Sequence, residues 1–205
     1  MKKGDCSSQF AAAPDECINM ILQWIALGEL AIGWALLIVA FVRARPWTRL
    51  LRSESHAPVA PWGFVLILIG LSFIAVPFAP SGFAKSVLAL KAAILLCPVS
   101  IVIDIAAMIT TSKDRWIPDG ERRPTLPRTG IYRSIRHPVY TSLLCLAIAT
   151  ATARTWWPMM VPGFFFLLLG IELRATADDF GLANVFQSEF EEYQSVTRAY
   201  LPLIR

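Results

Sequence analysis

The chain has 205 residues, 56% of them hydrophobic and only 17% charged, with a formal net charge of +4. A soluble domain needs a far larger polar share to cover its core, so this composition excludes an ordinary water-soluble globule and points to lipid. The positive charge does not point to nucleic acid, because the basic residues are spread over short segments flanking apolar stretches and are not gathered with base-stacking aromatics.

A bilayer core takes roughly 20 consecutive apolar residues for each helical span. Five stretches are candidates, which predicts an all-α, polytopic transmembrane bundle of about five spans forming a single membrane-embedded domain. Residues 1–111 hold three N-terminal spans, and residues 112–205 hold a loop, a transmembrane hairpin and a tail. The first stretch is Ile18–Val42. Lys2 and Lys3 lie too far ahead of it for a signal peptide, and it exceeds a typical signal h-region, so it is expected to stay as the first span. Cys6 and Cys17 fall in the tail before it, where a disulfide and two unrelated thiols both remain open. Cys97 and Cys145 fall inside spans. No cysteine pair has metal-ligand spacing, and no metal is expected.

The second and third stretches cover residues 59–78 and 83–111. Gly28, Gly33, Gly63 and Gly70 suit close helix packing better than ligand binding. Glu29, Lys91 and Asp104 interrupt otherwise apolar helices, and ionisable groups at such depth are functional candidates by default. Lys91 sits near a span end and can snorkel, with Glu29 as a partner between helices. Asp104 lies nearer the other end of the third span and is the candidate for a substrate or cofactor contact.

Residues 112–129 are polar and contain three prolines, which predicts a structured loop. The fourth and fifth stretches, Pro138–Ala153 and 156–173, are short and separated only by Arg154 and Thr155, which reads as a tight hairpin. Arginines and lysines concentrate after the first span (Arg43, Arg45, Arg49, Arg52) and after the third (from Lys113 to Arg136). Positive residues near span ends stay on the cytoplasmic side, so the N-terminus is expected outside and the C-terminus in the cytoplasm. Residues 172–192, acidic and with apolar residues at helical intervals, are expected to form a cytoplasmic amphipathic helix.

Two charged constellations stand out. The first is Gly130-Ile131-Tyr132-Arg133-Ser134-Ile135-Arg136-His137-Pro138-Val139-Tyr140, at the mouth of the fourth stretch, where Pro138 suits a first helical position. On the residues alone, it reads either as topology charges beside an aromatic belt or as a ligand-binding mouth. The second is Glu172, Arg174, Asp178 and Asp179, followed by Glu189, Glu191, Glu192 and Tyr193. Glu191 and Glu192 read best as a solvated face. Asp178 and Asp179 read equally well as solvated or as functional. A basic-plus-histidine cluster and an acidic cluster on one membrane face suit a zwitterion such as S-adenosylmethionine, whose carboxylate calls for Arg or His and whose ammonium and ribose call for carboxylates.

Arg136-His137-Pro138-x-Tyr140, preceded by Gly130-x-Tyr132-Arg133 and followed by a hairpin, an acidic pair and Tyr193…Leu201-Pro202, resembles the isoprenylcysteine carboxyl methyltransferase and phospholipid methyltransferase family. The resemblance covers about residues 125–204. It implies a membrane enzyme that binds S-adenosylmethionine from the cytoplasm and takes a lipophilic or lipid acceptor from the bilayer. Carried onto this chain, it implies cofactor binding by Tyr132, Arg136, His137, Tyr140, Asp178 and Asp179. It also implies catalytic roles for Arg174 and His137, with Arg174 toward the substrate; Asp104, outside the resemblance, is the substrate candidate from its depth in the third span. A carboxylate acceptor would need only orienting, whereas a thiol, phenol or amine would need a base. The chain departs from the family pattern at Asp178-Asp179, where the family commonly has Glu-Glu, and at Ser142 and Gln187, where it has Gly. Competing readings are a nicotinamide-dependent membrane reductase, disfavoured because no glycine-rich dinucleotide turn is present, and a non-enzymatic protein on a degenerate scaffold. Membrane lipids are expected partners, nucleic acid is not, and the oligomeric state stays open.

Overall fold

The computed structural model describes residues 14–54, 60–75, 87–113, 126–154 and 157–200. They form helices α1 (Pro14–Glu54), α2 (Ala60–Ala75), α3 (Val87–Lys113), α4 (Pro138–Arg154), α5 (Trp157–Phe186) and α6 (Ser188–Val196), with one turn of 3-10 helix, Gly130–Arg133, ahead of α4. Among the described residues there is no strand; the nearest approach to one is an isolated parallel bridge between Ile135 and Arg198. The Cys6 and Cys17 side chains and most of the loop over residues 112–129 lie outside what is described.

Three helices contain stretches long and apolar enough to cross a membrane: Ile18–Val42 in α1, Val87–Thr111 in α3 and Pro158–Phe186 in α5. Pro61–Ala75 and Pro138–Ala153 are apolar but shorter. The 16 residues of α2 rise only about 24 Å, short of the roughly 30 Å of a hydrocarbon core. The outward faces are as apolar as the inward ones: Ile38, Leu95, Val102, Val161 and Phe165 are all exposed. In water this would be one continuous sticky surface; in lipid it is simply the solvated one.

At the centre is α4. Its residues are buried almost all round, including Ser142, Leu143, Leu146, Ala147, Ala149 and Ala153. A helix apolar on every side belongs inside a bundle, and its many small residues let neighbours come close. It packs on α3, α1 and α2, while α5 packs mainly on α2. The expected tight hairpin of the fourth and fifth stretches is therefore wrong in one respect: α4 and α5 follow each other in sequence but scarcely touch as helices. The small residues of α4 are used by α3, and the glycines of α5 are used by α2.

The expected amphipathic helix over residues 172–192 is also divided. Residues 172–186 continue α5 without interruption, and the chain then turns at Gln187, the one non-glycine residue with positive φ (φ 46°, ψ −122°) among the described residues. A side chain held in such a region costs on the order of 1–3 kcal/mol. After the turn, α6 runs with Phe190 and Tyr193 buried on one face and with Glu189 and Glu191 in its first turn, where carboxylates suit the helix dipole.

Of the four glycines expected at helix contacts, three are found there. A Cβ on Gly33 would meet Leu146 Cδ1 at 2.9 Å, and one on Gly63 would meet Arg174 Cγ at 2.7 Å. A Cβ on Gly70 would come within 2.5 Å of the Leu167 nitrogen and 2.7 Å of the Gly163 carbonyl, and α5 answers with Gly170 against Gly63. Gly28 has nothing within 4 Å and is not a contact residue. The expected pairing of Glu29 with Lys91 is absent too: Lys91 is exposed, and one Glu29 carboxylate oxygen is buried without a hydrogen-bond partner. Because backbone cannot swing aside as a side chain can, Gly70→Ala is expected to destabilise the bundle by about 1–3 kcal/mol. Gly28→Ala is expected to be neutral or slightly stabilising. Thermal unfolding of the two purified variants in detergent checks this, and equal midpoints would contradict it.

Candidate functional site

The stretch that carries the basic motif is built as a turn, a bridge and a helix start. Gly130 adopts φ +57°, and a Cβ there would strike the Thr110 hydroxyl at 2.5 Å, so this turn packs directly on α3 and needs glycine. The 3-10 turn closes with hydrogen bonds from the Ser134 and Ile135 N–H groups to the Ile131 carbonyl. The next two N–H groups donate to the C-terminal segment: Arg136 N to Arg198 O at 2.8 Å and His137 N to Ala199 O at 3.0 Å. Helix α4 then begins at Pro138, whose missing N–H falls among groups that would lack a helical partner anyway. The Tyr140 and Thr141 N–H groups donate back to the His137 carbonyl.

On this platform the basic motif meets the acidic end of α5. His137 Nε2 lies 2.9 Å from Asp179 Oδ1, and Arg136 Nη1 lies 3.4 Å from Asp179 Oδ2. Tyr140 donates its hydroxyl to Asp178 Oδ2 at 2.7 Å, and Arg174 Nη2 donates to Asp178 Oδ1 at 2.8 Å. The Arg174 guanidinium also sits 4.9 Å from the centroid of the Phe64 ring, a cation–π contact from α2. Arg136 and His137 side chains are each 7% exposed, and Arg174 is 11% exposed. Two guanidinium groups and two carboxylates thus share one mostly buried cluster with an imidazole and a phenol.

The cations are not saturated by their carboxylates. Arg136 Nε and Nη1 and Arg174 Nε are buried without a hydrogen-bond acceptor. The 3.4 Å approach of Arg136 Nη1 to Asp179 is close enough for an ion pair, but the geometry does not make a hydrogen bond. Buried donors of this kind are rare in folded proteins, and a carboxylate or phosphate oxygen would satisfy them.

Of the residues expected from sequence, Arg136, His137, Tyr140, Arg174, Asp178 and Asp179 come together. Tyr132 is adjacent, with its hydroxyl 3.4 Å from Thr111 and its carbonyl accepting from Tyr193 at 2.6 Å. Asp104 does not join them through any ion pair; it is wholly buried on α3, facing the interior of α4.

Three features were not legible beforehand. Tyr200 lies beside the His137 ring at 6.0 Å between centroids and donates to Glu172 Oε2 at 2.9 Å. Thr141 donates its hydroxyl to the Tyr200 carbonyl at 2.8 Å. Arg128 donates to the Glu189 carbonyl and lies 3.6 Å from a Glu192 carboxylate oxygen, a solvent-exposed pair worth little by itself. Each joins residues between 28 and 61 positions apart, so no local pattern marks it. The closing Tyr193 was the available signal that the tail returns to the motif. Burial, first, and then the neighbouring Tyr132 raise the Tyr193 phenol well above its ordinary range.

No protein-family model, curated protein or solved structure matches the chain. The fold and cluster define it in class terms: a helical membrane protein with a mostly buried cluster of acidic and basic side chains at the start of α4.

Burial, with the Asp179 charge second, pushes the Tyr200 phenol up to about 12. The folded protein therefore keeps that proton above the pH at which an unfolded chain releases it, near 10. The stabilisation is complete below about pH 10 and is lost as pH climbs toward about 12. In unfolding measurements across that window the wild-type midpoint is expected to fall, and Tyr200→Phe is expected to flatten the decline. An equally steep decline in the variant would contradict it.

Proposed function

We propose that this chain is an integral membrane methyltransferase that takes its methyl group from S-adenosylmethionine and gives it to a lipophilic acceptor. This is the activity implied by its resemblance to the isoprenylcysteine carboxyl methyltransferase and phospholipid methyltransferase family. The observation that carries the reading is the set of buried, unsatisfied guanidinium N–H donors on Arg136 and Arg174 beside carboxylates at Asp178 and Asp179. A zwitterionic amino-acid moiety supplies the anion that those donors lack, and its ammonium suits the carboxylates.

When bound, the cofactor supplies an electrophilic methyl group on a sulfonium. The chain's own residues bind and orient. Arg136 and His137 take the carboxylate end, Asp178 and Asp179 the ammonium and ribose hydroxyls, and Tyr140 fixes Asp178. Arg174 is the residue for orienting a carboxylate acceptor, and His137 is the base for an acceptor that must lose a proton. Much of the rate comes from holding nucleophile and methyl group in line in a site closed to water. The proposed topology has five spans, the N-terminus outside and the site at the cytoplasmic face. The basic segments after the first and third spans support that orientation.

Calorimetry of the purified protein with S-adenosylmethionine tests the reading. Saturable binding is expected, abolished by His137→Ala with the helical content unchanged. Folded wild-type protein that binds no cofactor would overturn it. A labelled-methyl assay against lipid extracts then identifies the acceptor.

A further inference from the structure

The cluster that carries the proposed function is shut. The Arg136 and His137 side chains are each 7% exposed and Arg174 is 11% exposed, yet Arg136 Nε and Nη1 and Arg174 Nε still lack acceptors. A ligand that supplies those acceptors cannot reach them in this arrangement, so part of the enclosure has to move. Where α2 meets α5 the enclosure is fixed by backbone. A Cβ on Gly170 would lie 2.8 Å from the Gly63 carbonyl and 2.7 Å from the Ile67 nitrogen, and helices in such contact do not part without losing their packing.

The C-terminal part of the enclosure, residues 188–200, is attached differently. The Arg136 and His137 N–H groups donate to the Arg198 and Ala199 carbonyls, Thr141 donates to the Tyr200 carbonyl at 2.8 Å, and Tyr193 donates to the Tyr132 carbonyl at 2.6 Å. Tyr200 also donates to Glu172 at 2.9 Å, so this segment crosses beside His137 from α4 to α5. Within it, α6 buries only Phe190 and Tyr193. Arg128 donates to the Glu189 carbonyl and lies 3.7 and 3.6 Å from the Glu189 and Glu192 carboxylates, both exposed. Segments held by exposed polar contacts and few buried side chains are the ones that open locally.

The joint between α5 and this segment is Gln187. Its φ of 46° and ψ of −122° match the first central position of a type II′ turn, a conformation that glycine takes freely and a side chain resists. The closed arrangement therefore holds strain that a swing about Gln187 releases, and the polar contacts oppose that swing. We propose that residues 188–200 are a lid that pivots at Gln187 to admit the ligand, with Arg128 as its latch. The identity of that ligand rests on the proposed function; the pivoting does not.

Amide hydrogen exchange of the full chain in lipid nanodiscs, read at single residues by NMR, tests the lid. The Arg136 and His137 amides donate to lid carbonyls, whereas those of Tyr140 and Thr141 donate to the His137 carbonyl at the start of α4. Without ligand, the first pair is expected to exchange faster than the second. Arg128→Ala removes a charged hydrogen bond and an exposed ion pair, and is expected to speed the first pair about fivefold while leaving the second unchanged. Gln187→Gly relieves the closed state, and is expected to slow the first pair about tenfold. Adding S-adenosylmethionine is expected to slow it in the wild type. A first pair that exchanges no faster than the second, or that does not respond to the two variants in opposite directions, would overturn the lid. Exchange that follows both variants but ignores S-adenosylmethionine would uphold the lid and count against that ligand, so the lid and the proposed function fail separately.

Discussion

Asp179 reaches from α5 to the two residues that precede α4, 2.9 Å from the His137 imidazole and 3.4 Å from the Arg136 guanidinium. These two helices scarcely pack on each other along their lengths, so the charged contact does what side-chain packing does elsewhere in the bundle. It also fixes what else can assemble. With Asp179 placed, its neighbour Asp178 faces Tyr140 and Arg174, and Glu172 two turns earlier meets Tyr200. Withdrawing one member of a buried pair leaves an uncompensated charge, typically at a cost of about 3–5 kcal/mol. The C-terminal segment completes the arrangement by accepting the Arg136 and His137 N–H groups, so that the motif is held from the backbone side as well.

The same cluster shows how a chain so apolar can bury charges. Its carboxylates and guanidinium groups nearly cancel, which lowers the cost of burying them, but the cancellation is incomplete in a directional sense. Arg136 and Arg174 retain N–H donors with no acceptor. A site that is balanced in charge and unbalanced in hydrogen bonds is suited to a ligand that is itself a zwitterion, because such a ligand adds acceptors without adding net charge.

Membrane character could be read from composition, and the C-terminal ends of α3 and α4 fall close to where the apolar stretches break, whereas α1 continues to Glu54, twelve residues beyond the expected break at Val42. The site was legible as residue types: Arg136, His137, Tyr140, Arg174, Asp178 and Asp179 were all named as what the resemblance to the methyltransferase family implies. What could not be read is anything that depends on which helix packs on which. The apparent hairpin of the fourth and fifth stretches hid the partnership of α2 with α5, which rests on backbone contacts at Gly63, Gly70, Gly163 and Gly170. The break at Gln187 was hidden because a glutamine carries no signal for positive φ, although its place is one where the resembling family has glycine. Ser142, the other such departure, turns its hydroxyl to Ser100 and so enters a polar contact that a glycine could not make.

The central claim is that the basic motif before α4 and the acidic run of α5 are one physical unit. A double-mutant cycle on Arg136→Gln and Asp179→Asn, read by equilibrium unfolding of the purified protein, tests this most directly. The account predicts a coupling between the two substitutions of about 1–3 kcal/mol, with the double variant much less destabilised than the sum of the singles. Additivity within about 0.5 kcal/mol would contradict it and leave the two charged segments as unrelated features of the same membrane face.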